Sequence, residues 1–167
     1  MKTDYDFMDS FMIFHDIAPM RTTTEQIKKI IRDYDNKESL NMKTTCPHYN
    51  NRRQSISSAA GIDAATYAKL INDDHFCPSL KVFFRFAIVT GMTPNHIETV
   101  YKGLKKQVQT PEEEFIYILL TQHQNYDDGQ GYSDCDDLRT INGVNKAMEY
   151  ENKNRDINDK LNTNYFD

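Results

Sequence analysis

Apolar residues recur at helical spacing in several short runs along the chain. The first run holds Phe7, Met8, Phe11, Met12, Phe14 and Ile17 and predicts a short amphipathic helix over 4–18, stopped by Pro19. Thr22, Thr23 and Thr24 offer N-caps for a second helix over 25–34, with Ile27, Ile30, Ile31 and Tyr34 on one face. From 35 to 51 the chain is polar and interrupted by Pro47, which reads as a long connection. From Arg52 the pattern sharpens. A short helix over 53–60 is broken by Gly61, the residue best able to take positive φ after a helix. Asp63 caps the next helix, 64–72, and a loop over 73–78 follows. Ser79 caps an apolar helix over 80–90 that Gly91 ends. Thr93 and Pro94 begin a further short helix with Ile97, Val100, Tyr101 and Leu104 facing inward.

Pro111 opens another helix, its first turn carrying Glu112, Glu113 and Glu114 where the macrodipole favours acids. Phe115, Ile116, Ile118, Leu119 and Leu120 make it apolar enough to require packing against the domain or a second chain. Residues 127–137 read as a loop. Beyond it, Leu138, Ile141, Val144, Met148, Ile157 and Leu161 are sparse apolar points in an Asn/Asp/Lys-rich stretch, which reads as a partly disordered tail. The expected organisation is an N-terminal amphipathic arm over 1–21, a helical domain over 22–106 with a polar insertion at 35–51, a packing or dimerisation helix over 107–125, and an acidic tail over 126–167. Tyr67, Leu70, Leu80, Phe83, Phe84, Ala87 and Ile97 are expected to share one core.

The stretch 52–72, RRQSISSAAGIDAATYAKLIN, resembles the two central helices of a lambda-repressor-like helix-turn-helix domain of the Cro-type, XRE family. Gly61 and Ile62 are similar to that family's Gly-hydrophobic turn. Tyr67 and Leu70 match the two buried positions of its recognition helix, and Asn72 its usual end. The stretch 78–93, PSLKVFFRFAIVTGMT, is similar to the family's Pro-Ser-Leu start, its apolar helix containing alanine, and its Gly-hydrophobic-Ser/Thr exit. The resemblance covers about 50 of the 167 residues. The chain departs from the family at 35–51, where a few residues usually suffice. The resemblance implies an all-α fold: a helix-turn-helix bundle extended by N-terminal and C-terminal helical segments.

It also implies a DNA-binding transcriptional regulator of the repressor type that takes double-stranded DNA, with a homodimer as a further expectation. The recognition helix of this fold presents its N-terminal residues to the major groove. Carried over, these are Asp63, Ala64, Ala65, Thr66 and Lys69. Only Lys69 is a strong base reader; Ala64, Ala65 and Thr66 suit thymine methyls, and Asp63 suits a cytosine donor or a helix cap. Arg52 and Arg53 fall where the family contacts phosphate, and Lys81 and Arg85 could add to them. The alternative is a protein-binding or inhibitory module on the same fold, a phage-type antagonist of a nucleic-acid enzyme, whose acidic tail meets a basic protein. A third reading folds that tail over the basic face.

Charge bears on this choice. The net charge of −5 is unevenly spread. Residues 52–106 hold eight basic and four acidic side chains, whereas 107–167 hold five basic and thirteen acidic ones. A basic module beside an acidic arm fits a polyanion binder better than the total suggests. The 38% hydrophobic content points to one compact core with polar segments beside it. No apolar run reaches the roughly 20 residues that span a bilayer, and the acidic N-terminus is unlike a signal peptide. Three widely spaced cysteines do not form a disulfide framework. A cytoplasmic protein is expected.

Cys46, His48, His75 and Cys77 have the composition of a tetrahedral zinc set, but each pair is spaced i, i+2 rather than as zinc ligands usually are. The expectation is no metal and no cofactor. Neither a phosphate-binding glycine loop nor a nucleophile elbow is present, and the Asp-rich run 127–137 lacks EF-hand spacing. Catalysis is not expected.

Overall fold

The computed structural model describes residues 24–45, 52–122 and 138–167. Among these residues the chain is all-helical. The helices are α1 (Thr24–Thr45), α2 (Arg52–Ala60), α3 (Ala64–Asn72), α4 (Leu80–Thr90), α5 (Pro94–Leu104), α6 (Pro111–Gln122) and α7 (Ile141–Glu151). The amphipathic stretch at 4–18 and the loop at 127–137 lie outside the described residues.

Short polar residues set the helix boundaries. Asp63 Oδ1 accepts the Thr66 N–H at 2.9 Å, Ser79 Oγ that of Val82 at 3.2 Å, and Thr140 Oγ1 that of Gly143 at 3.0 Å. At α6 two side chains share the capping. Thr110 Oγ1 accepts from Glu113 N at 3.2 Å, and Glu113 Oε2 accepts from Gln109 N at 2.8 Å. Gly61 (φ +62°) and Gly91 (φ +59°) turn the chain out of α2 and α4 in the left-handed region, where a side chain would be strained. Met92 N–H then returns to Ala87 O at 3.0 Å, and Ile62 N–H to Ser57 O at 2.9 Å, closing both helix ends.

The centre of the bundle is α4. Leu80, Phe83, Phe84 and the run from Phe86 to Thr90 are all buried, because α4 packs against α1, α2, α6 and α7. A helix covered on most sides is apolar nearly all round. The residues expected to share a core do so: Tyr67, Leu70, Leu80, Phe83, Phe84, Ala87 and Ile97 are each at most 5% exposed.

Two segments differ from their hydropathy pattern. The polar connection expected from 35 is helical as far as Thr45. Asp35 and Ser39 continue the inner face begun by Ile27, Ile31 and Tyr34, and both are buried. The face turns polar without turning outward. The Asp35 carboxylate accepts the Tyr67 hydroxyl, tying α1 to α3. The expected partly disordered tail is packed over 138–167. Val144, Ala147 and Met148 of α7 are buried, as are Leu161 and Phe166 beyond it. Ile157 is left exposed, and Ile118 on α6 also faces outward. Tyr67→Phe removes a buried bond to a carboxylate. It should lower stability by about 1.5–3 kcal/mol in urea unfolding; a loss below about 0.5 kcal/mol would mean that the bond contributes little to holding α3.

Candidate nucleic-acid interface

The second and third helices and the turn between them form a unit with one face inside the bundle. On α3, Tyr67, Leu70 and Ile71 point into the core. Asp63, Ala64, Ala65, Ala68 and Lys69 are exposed, and Thr66 is half-buried. Of the five positions the sequence assigns to base reading, Asp63, Ala64, Ala65 and Thr66 lie at the helix start, and Lys69 is exposed in its last turn. Hydrogen bonds from Thr66, side chain and backbone, hold the Asp63 carboxyl below its ordinary range. The tip of α3 consequently carries a negative charge at Asp63, and Lys69 adds a positive one in the last turn of the helix. Arg52 and Arg53 occupy the first turn of α2.

Two cations brace the other end of α3. Lys28 Nζ donates to Leu70 O at 3.1 Å and Arg32 Nε to Ile71 O at 2.9 Å. Arg32 also pairs with Asp74 at 2.6 Å. Cations at a helix C-terminus complement the macrodipole. Lys28 is nearly inaccessible, and burial pushes its ammonium pKa down. A charged group is rarely spent this way unless its partner matters to the geometry. In the sequence, neither cation stands out; the signal is a lysine at 28 beside Ile27 and Ile31 on an inward face.

Lys81 and Arg85, read as phosphate contacts, are engaged elsewhere. Lys81 Nζ donates to a backbone oxygen of Asp167 at 2.9 Å and lies 5.6 Å from the Tyr165 ring centroid. Arg85 Nη1 donates to Ala60 O at 3.1 Å and to Gly61 O, and its guanidinium lies 5.6 Å from the Phe166 ring centroid. Residues 165–167 thus cover part of the face that the sequence marks as basic.

Tyr34 of α1 meets the start of α5. Its hydroxyl accepts the Thr93 N–H at 3.0 Å and sits 2.9 Å from His96 Nδ1. His96 Nδ1 also lies 3.1 Å from Thr93 Oγ1.

Of the four metal candidates, Cys46 and His48 lie outside the described residues. His75 is exposed, its amide donating to Asp73 Oδ1 at 2.9 Å, and Cys77 is exposed with a distant contact to Leu104 O. Among the described residues no group of three or more His, Cys, Asp or Glu side chains is arranged to hold a metal. Nor is any described helix long and apolar enough to cross a membrane. Comparison with protein-family models, characterised proteins and solved structures gives no match.

Proposed function

We propose that the chain is a cytoplasmic DNA-binding regulator of the helix-turn-helix repressor type, with α3 as the helix that enters the major groove. The carrying observation is the division of α3 into an inner face of Tyr67, Leu70 and Ile71 and an outer face that begins at its N-terminus. Such a helix can advance into a groove without exposing its core residues. The small side chains of Ala64, Ala65 and Thr66 allow close approach to base edges and thymine methyls, and Lys69 supplies a donor for guanine. Arg52 and Arg53, at the start of α2, contact phosphates and set register. A homodimer would place two copies of α3 about 34 Å apart along a palindromic site.

Fluorescence anisotropy with random and selected duplexes at several salt concentrations tests this reading. Arg53→Ala should weaken binding to all sequences alike and reduce the salt slope by about one unit. Thr66→Ala/Lys69→Ala should change sequence preference more than overall affinity. Absence of binding at low salt by the wild-type protein would end the reading.

A second reading has its own observation. Ala64, Ala65 and Ala68 give α3 an exposed face poor in base-reading side chains, while Lys81 and Arg85 are held by the protein itself. A protein partner would pack on that face, with the acidic character of 107–167 suited to a basic surface. Ala65→Glu would then abolish capture of the partner from the native host, with no dependence on added duplex.

A further inference from the structure

Arg85 links the α2–α3 turn to the stretch around Phe166, and its surroundings explain why it is there. Its Nη1 bridges two successive carbonyl oxygens, those of Ala60 and Gly61, where α2 ends and its dipole is negative. A Cβ at Gly61 would collide with this nitrogen, so glycine is needed there for the approach as well as for the positive φ. The other side of the guanidinium meets Phe166, which is 2% exposed.

Phe166 is itself held in place. Its ring meets Tyr165 edge-on at 5.1 Å, and the Tyr165 hydroxyl donates to Glu113 Oε1 at 3.0 Å. Burial and that bond push the Tyr165 phenol pKa strongly up, so it remains a neutral donor. Glu112 Oε1 accepts the Asn162 N–H at 2.7 Å, and Asn152 exchanges two bonds with the Leu161 backbone at 2.7 and 2.9 Å. A continuous set of contacts therefore runs from α6 through residues 161–166 to Arg85 and on to the turn ahead of α3.

We infer that Arg85 and Phe166 are positioning residues for α3, setting its angle in the DNA-binding unit, and that Arg85 is not a phosphate contact. The inference rests on the DNA-binding reading above. An arginine that touched phosphate would contribute to counterion release; one that holds the turn would not. Salt dependence separates the two roles.

The experiment compares wild type, Arg85→Ala, Arg85→Lys, Phe166→Leu and the Arg85→Ala/Phe166→Leu double variant on a selected duplex at several salt concentrations. Each single variant should lose about three- to thirtyfold in affinity with an unchanged salt slope. Arg85→Lys, which reaches one carbonyl, should recover part of the loss. The double variant should be no weaker than Arg85→Ala, because both act through one chain of contacts. Amide exchange in the absence of DNA should quicken at Ile62 in Phe166→Leu while Met92 is unchanged, a local effect that general destabilisation would not give. Should Arg85→Ala fail to fold, Arg85→Gln, which removes the charge and keeps a donor for one carbonyl, takes its place beside Phe166→Leu. A slope reduced by about one in the variant that removes the Arg85 charge, or wild-type affinity in Phe166→Leu, overturns the inference and leaves the DNA reading intact. Failure of every protein, wild type included, to bind duplex at low salt removes the DNA reading and this inference with it.

Discussion

Leu70→Ala should lower the midpoint of thermal unfolding by roughly 5–15 °C, corresponding to a loss of about 2–5 kcal/mol. Leu70 is fully buried on α3, between Tyr67 and Ile71, and its own carbonyl accepts the Lys28 ammonium. Truncation removes three heavy atoms from a site where helices α1 and α3 meet. The cavity collapses only partly, because a charged lysine and a buried carboxylate at Asp35 stand nearby on α1 and cannot move inward without losing their bonds. The backbone carbonyl survives the substitution, so the effect reports packing rather than the Lys28 bond. A midpoint shift below about 2 °C would place Leu70 outside the core.

Met148→Ala should cost a similar amount, about 2–5 kcal/mol, and should move the entire unfolding transition. Met148 is fully buried on α7 beside Val144 and Ala147, and α7 packs against α4, the centre of the bundle. If residues 138–167 formed a separate lobe, the substitution would leave the main transition in place and release a smaller one. One cooperative transition, shifted as a whole, is the expected calorimetric result. Two resolved transitions would detach the segment from the core.

The parts of the fold that could be read in advance are those fixed by local chemistry. Gly61, Asp63, Ser79, Gly91 and Pro94 mark helix ends by conformations and caps that need no distant partner. What could not be read depended on contacts across the chain. Asp35 and Ser39 look like loop residues until Tyr67 is seen donating to Asp35. Leu161 and Phe166 stand among Asn and Asp, and no periodicity announces their burial. The outward positions on α3 follow from its cap and its apolar spacing: Ala64, Ala65 and Lys69 are exposed and Thr66 is half-buried. The roles of Lys81 and Arg85 do not follow. A cation in a sequence carries no mark of its partner, and here Lys81 meets a backbone oxygen 86 residues away and the Tyr165 ring beside it.

The buried ties between helices also bear on how fast the chain can fold. An isolated helix forms in about a microsecond, and all-helical proteins with neighbouring contacts fold nearly as quickly. Here the bonds that orient the helices close long stretches of chain. Tyr67 reaches Asp35 across 32 residues, Lys28 reaches Leu70 across 42, Tyr165 reaches Glu113 across 52 and Tyr34 reaches Thr93 across 59. Each closure costs chain entropy before its contacts form. Refolding should therefore run on the order of milliseconds rather than microseconds, and α3 is set at its angle only when residues far from it in the chain have arrived.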